Sequence, residues 1–155
     1  MENAFTGLIQ ALSAQLQIKL KIKNNSKVHV NFDDIALLIE HLADAEQLLL
    51  VAPLADVPAA GREELYRTLL QGQHVFAETR GATLSLDANE SFVCLQMAPS
   101  LRTLTKQNFP TLVENFLNMA EHWRKRCLEA AEREERQIGT APAPEPMHDA
   151  NMMRI

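Results

Sequence analysis

The sequence predicts an α+β domain: a twisted antiparallel sheet of about five strands with three helices, in the order α-β-β-β-α-β-β-α, assembled as a homodimer. Three observations predict it. Residues 69–97 read as a helix end, a glycine-marked turn and two short strands around a polar turn. Apolar residues from Phe109 to Leu128 recur at helical spacing over about five turns. Between the first helix and the middle of the chain, several segments alternate with the period of two that marks strands.

At 155 residues the chain has the size of one domain with a single sizeable core. Residues 1–138 form that domain, and residues 139–155 are a flexible C-terminal tail. Hydrophobic residues make up 46% and charged residues 23%, a globular composition. The formal net charge of -5 gives no bulk attraction to nucleic acid. The N-terminus lacks a basic segment followed by a long apolar one, so no secretory signal is expected. The longest apolar runs fall far short of the ~20 residues needed to span a membrane, so no membrane partner is expected and the expected location is the cytoplasm. Cys94 and Cys127 are far apart and belong to no Cys-x-x-Cys pair, which predicts two reduced, partly buried thiols.

In chain order, Phe5, Leu8, Ile9, Leu12 and Leu16 follow the i, i+3, i+4 spacing of a helix. Its other side carries amides and hydroxyls (Asn3, Gln10, Ser13, Gln17) with very few charges, which suits a surface partly covered by something else. Residues 18–23 alternate Ile18, Leu20 and Ile22 with three lysines and predict a first strand. Asn24, Asn25 and Ser26 are turn residues, and Val28, Val30 and Phe32 mark the next strand, so the two make a hairpin. The lysine face has no interleaved aromatics of the kind that bind nucleic acid, and reads as a solvated strand face.

Asp33 and Asp34 form a turn; on a strand, adjacent residues point to opposite faces and act poorly as a pair. Residues 35–42 and 47–54 suit central strands joined by a polar turn at 43–46, although 35–42 alone also suits a short helix. Pro58, Glu63 and Glu64 open a second helix with apolar residues Leu65, Tyr66, Leu69 and Leu70, weakened by Gly72. His74 falls within it without a ligating partner. Thr79-Arg80-Gly81 leads to the strand carrying Leu84 and Leu86. After the turn at 87–90, Val93, Leu95 and Met97 share one face of the last strand, and Phe92 and Cys94 the other. A strand apolar on both faces must cover both, and pairing with a second copy is one way to do so.

For the last helix, Pro110 is tolerated only in a first turn, so either Asn108 caps it or an irregular turn runs from 105 to 109. From Arg124 onward the helix becomes charged and is expected to project into solvent. In the tail, Met147, Met152, Met153 and Ile155 form a candidate docking motif. Nucleotide-binding glycine loops, paired zinc ligands and the Gly-x-Ser-x-Gly elbow are absent from the sequence.

Residues 69–87, LLQGQHVFAETRGATLSLD, and residues 92–123, FVCLQMAPSLRTLTKQNFPTLVENFLNMAEHW, resemble the helix-end, strand, loop and aromatic-striped final helix of the class I type III secretion chaperones, the family of the translocated intimin receptor chaperone. The resemblance covers about residues 5–133. It departs at the lysine-rich first hairpin and the long tail. The resemblance implies a cytoplasmic bacterial homodimer with no cofactor, metal or catalytic residues. Its partners would be one or more secreted effectors, whose N-terminal region is held extended for export, and also the secretion-apparatus ATPase. On this basis Leu8, Leu12, Leu16, Ile22, Val28, Val30 and Leu38 would line the effector groove or the core beneath it. Leu69, Leu70, Phe92 and Cys94 would form the dimer contact. Two alternatives stay open: a regulatory relative that binds an anti-activator and couples secretion to transcription, and a small enzyme with scattered polar groups such as His29, Asp33 and His41.

Overall fold

The computed structural model describes residues 3–139. Helix α1 (Ala4–Leu16) is followed by β1 (Lys27–Phe32), β2 (Ile35–Leu42) and β3 (Gln47–Asp56). Helix α2 (Arg62–Gln73), strands β4 (Thr83–Leu86) and β5 (Phe92–Met97) and the long helix α3 (Phe109–Gly139) complete the chain order. The strands form one antiparallel sheet in the order β1-β2-β3-β5-β4. This is the α+β order the sequence predicts. The candidate docking motif lies in residues 140–155, outside the described residues.

Alternation within the strands decides which face meets the helices. Val28, Ile35, Leu37, Ile39, Leu48, Leu50, Ala52, Val93 and Leu95 are buried and form one core with Phe5, Leu8, Ile9 and Leu12 of α1 and Phe109, Val113, Phe116, Ala120 and Trp123 of α3. The sheet's other face carries Leu38 paired with Val51, and Pro53 paired with Cys94. None of these four residues belongs to the helix-packed core or to the apolar residues packed against it.

The strand expected over residues 18–23 does not form. Asn3 caps α1 by accepting from the Phe5 N–H at 3.2 Å, and Gln17 ends it in the left-handed region at φ 55°. Ser13 then holds the chain beside the helix: its hydroxyl donates to the Ile18 carbonyl and accepts from the Leu20 N–H. Only Lys23 reaches the sheet, as an isolated bridge to Lys27. The alternation still sorts the side chains, because Leu20 and Ile22 pack on the core while the three lysines face solvent. The first hairpin is therefore β1–β2, turning at Asp33 and Asp34 with Asp33 at φ 48°.

The entry to α3 is the irregular turn. The Asn108 side chain accepts from the Thr105 N–H and donates to the Thr103 carbonyl, while the Thr105 hydroxyl accepts from the Asn108 N–H. Pro110 sits in the first turn, where a missing N–H leaves no helical bond unmade. Beyond Arg124 the helix does not simply leave the protein, because Cys127 and Ala130 are buried. Glu134 packs over Gly61, where a Cβ would fall 2.5 Å from its carboxyl carbon. That places a carboxylate at the N-terminal end of α2, where its Oε2 is buried without a hydrogen-bond partner.

Gly72 has a different role from the weak point expected. A Cβ there would lie 1.9 Å from the Trp123 ring, so only glycine lets α2 approach α3 this closely. Gly72→Ala should therefore destabilise the fold by about 1–3 kcal/mol through overpacking, although alanine favours a helix interior by ~1 kcal/mol. Urea unfolding followed by Trp123 fluorescence measures this, and a variant more stable than the natural chain would contradict the role given to Gly72.

Candidate functional site

The polar residues that would make an enzyme site do not converge. His29 pairs with Leu38 on the sheet face away from the core, whereas His41 lies on the other face and stacks on Phe5 at 5.4 Å. Asp33 is an exposed turn residue. Among the described residues no group of three His, Cys, Asp or Glu is placed to hold a metal ion. Burial raises the Cys94 thiol and pushes the Cys127 thiol up to about 11, so neither is an activated nucleophile.

What the surface offers instead is apolar concavity. One groove of about 490 Å³ lies between α1 and the 18–23 segment, lined by Thr6, Ile9, Gln10, Ser13, Ala14, Leu20 and Ile22. Its walls combine aliphatic side chains with neutral amides and hydroxyls. Helix α1 holds no charged residue at all. The charge-poor polar side noted in the sequence is thus one wall of a groove. Beside it, β1 is the sheet's edge strand and pairs on that side only at Lys27. An edge of this kind offers main-chain groups to an added strand.

The structure separates the seven residues expected to bind an effector. Leu8, Leu12 and Val28 are buried at 4% exposure or less and belong to the core beneath the groove. Leu16, Ile22 and Val30 are partly buried against that core, and Ile22 lines the groove. Leu38 faces the other side of the sheet. Leu20 completes the groove and the buried Ile9 lies at its floor; the helical and alternating spacings place both on apolar faces, but only the pinning by Ser13 brings the two faces together.

The residues expected at a dimer contact divide as well. Leu69 and Cys94 are each only 6% exposed, while Leu70 is 74% exposed. Phe92 is half-buried in a shallow cleft with Pro53, Leu54 and Leu128. Leu70 shares its exposure with Val75 and Phe76, at 72% and 53%. These two stand just past the end of α2 at φ 49° and 56°, a left-handed backbone unusual for such residues. No glycine or asparagine marks those positions, so the sequence gives no warning of the turn. His74, expected inside the helix, instead terminates it.

A second concavity runs along α3. Its apolar part, of about 590 Å³, includes Met97, Leu104, Leu112, Phe116 and Met119, and it continues into a polar part with Glu78, Arg80, His122 and Arg126. Residues 98–108 read in the sequence only as a polar loop, so this trough was not legible.

With the geometry in place, comparisons give the following. The profile of the Tir chaperone protein (CesT) family matches residues 7–124. No curated protein sequence matches. A chain in the HopA1–SchA chaperone–effector complex is similar, at TM-score 0.63 and 19% identity, covering 81% of this chain and 94% of that one. A chain in the ExsC–ExsE complex aligns at TM-score 0.64 and 22% identity, over 76% and 89%. One in the ExoU–SpcU complex from the type III secretion system of Pseudomonas aeruginosa aligns at TM-score 0.62 and 17% identity, over 79% and 96%. Identities this low establish a shared fold. Among the described residues no helix is long and apolar enough to cross a membrane.

The raised thiols lead to a direct expectation. A group whose ionisation is pushed upward stays protonated at neutral pH, so a disulfide reagent at pH 7.5 should label Cys94 and Cys127 slowly in the native chain and at once in denaturant. Fast native labelling of Cys127 would contradict its burial against the core.

Proposed function

The chain belongs to the Tir chaperone protein (CesT) family, and from that premise we propose that it is a dimeric bacterial chaperone, acting in the cytoplasm. It binds the N-terminal region of a type III secreted effector and holds it extended before export. The observation that carries this reading is the uncharged groove of aliphatic, amide and hydroxyl side chains between α1 and residues 18–23, set beside the edge of β1. An extended client can pair its main chain with such an edge while its alternate side chains drop into the groove. Leu16, Leu20, Ile22 and Val30 are the residues assigned to client contact, with the buried Ile9 beneath them. Leu8, Leu12 and Val28 support them from below.

The second copy is assigned to the apolar surface of Leu70, Val75 and Phe76, with Phe92 as a further contact. Three large apolar side chains more than half exposed on one segment make an unusual exterior for a lone subunit. Burying them against their counterparts removes that area from water, at about 25 cal/mol per Å². Leu69 belongs to the helix-packed core beneath α2, and Cys94 lies on the sheet's other face. No residue is assigned a catalytic role, and no cofactor is invoked. Contact with the secretion-apparatus ATPase remains an expectation of the family alone.

Two measurements test the reading. Co-expression with the open reading frames beside its gene should give a client that co-elutes. Ile22→Asp together with Leu20→Asp, both at partly exposed groove positions, should reduce that capture by about tenfold or more while leaving the native mass unchanged. Light scattering should give twice the 17.4 kDa of one chain, falling to the single-chain mass for Leu70→Glu with Phe76→Glu. A charged groove that still captures the client, or a natural chain that is monomeric at micromolar concentration, would count against the respective half of the proposal.

A further inference from the structure

The trough along α3 is built by a continuous helical stripe: Asn108, Leu112, Asn115, Met119, His122 and Arg126, spaced by four and three residues in turn. Its opposite wall is the Thr79–Ala82 turn. Two features of that wall are unsatisfied. The Thr79 hydroxyl belongs to a residue only 1% exposed and has no hydrogen-bond partner. Arg80, at the junction of the apolar and polar parts, has no ion pair among the described residues.

We propose that residues 147–155 of this same chain occupy the trough, with Met152 and Met153 in its apolar part and Asp149 on Arg80. Three observations on the chain support the assignment. The first is reach. Helix α3 ends at Gly139, and at ~1.5 Å per residue the level of Arg126 lies ~20 Å back along the axis, Met119 ~30 Å and Leu112 ~40 Å. Residues 140–146, with prolines at 142, 144 and 146, cover ~22 Å at the ~3.1 Å per residue of a polyproline-like chain. Met147 then falls near Arg126. At ~3.3 Å per residue Asp149 comes level with Met119 and Arg80, and Met152 and Met153 come level with Leu112.

The second is charge. Asp149 arrives beside Arg80, whose guanidinium has no ion pair among the described residues, and a carboxylate there makes a charge-assisted pair. The third is the chemistry of the walls. Methionine is unbranched and polarisable, and it fills irregular apolar spaces such as one lined by Met97, Leu104 and Phe116. A main-chain N–H of the docked segment would satisfy the Thr79 hydroxyl. The segment closes the larger apolar cavity of the subunit without using the α1 groove. The proposal therefore goes beyond client capture and stands whether or not a client is identified.

The chain's six methionines make the test direct, since Met97 and Met119 line the trough and Met147, Met152 and Met153 lie in the segment. In the full chain carrying 13C-methyl methionine, cross-peaks are expected from Met97 or Met119 to Met152 or Met153. Arg80→Glu should abolish them and shift the segment's methyl signals to free-peptide positions; adding Asp149→Arg to that variant should restore them. Three results would overturn the proposal: free-peptide positions in the natural chain, cross-peaks seen only between differently labelled copies, or indifference to the charge at position 80. Client co-elution is read separately, so its failure is distinguishable from failure here.

Discussion

The packing of α2 on α3, and the chain that follows α2, depend on how Trp123 is held. Its ring lies against the missing side chain of Gly72 on α2, its indole N–H donates to the Glu78 carbonyl at 3.1 Å, and the Arg126 guanidinium sits 4.4 Å over its face. Arg126 also pairs with Glu78. One fully buried side chain thereby fixes three things: the distance between α2 and α3, the path of the chain after α2, and the polar end of the trough. An aromatic residue buries a large area and its N–H must find a partner when enclosed. Here that partner is a loop carbonyl, so a core contact also sets a surface feature.

The consequence is seen in residues 74–82. Gln73 reaches across to accept from the Leu84 N–H and to donate to the Ala82 carbonyl, so its side chain stands in for a neighbouring strand on part of the β4 edge. Between that clamp and the Glu78 anchor the backbone must reverse in few residues. It does so with Val75, Phe76 and Arg80 in the left-handed region. Such a conformation costs energy in residues of this kind and persists only where its surroundings fix it. The two apolar side chains it presents to solvent and the guanidinium it presents to the trough both follow from one constrained turn.

Much of the fold was legible because strand alternation and helical spacing are local. The pairing of Leu84 with Leu95 and the buried stripe from Phe109 to Trp123 follow directly from those periods. The misreadings occurred where a distant or single side chain decided the outcome. Residues 18–23 have a strand's pattern, but the Ser13 hydroxyl takes the main-chain groups a strand partner would have used. Gly72 reads as a helix defect until the Trp123 ring is set beside it. For the site, the charge-poor face of α1 was a usable signal, whereas Leu8, Leu12 and Val28 could not be told from groove residues by spacing. Core and groove positions on one helix face share a period and differ only in what packs above them.

The distribution of these concavities bears on the kind of partner they suit. A folded partner meets a protein through one contiguous, largely flat patch with its own complementary shape. This subunit instead has separate shallow grooves on α1, along α3 and at the start of β5, each sized for a few side chains. An extended chain can place one or two apolar residues in the α1 groove and meet main-chain groups at the β1 edge beside it. The ordering entropy of that chain is large, so the receiving surface must contribute little disorder of its own. A closed sheet core under the groove, with α1 capped at Asn3 and Ser13 holding its far wall, meets that requirement. Lys19, Lys21 and Lys23 alternate with the groove residues Leu20 and Ile22 and are exposed to solvent, while the groove's own lining carries no charge.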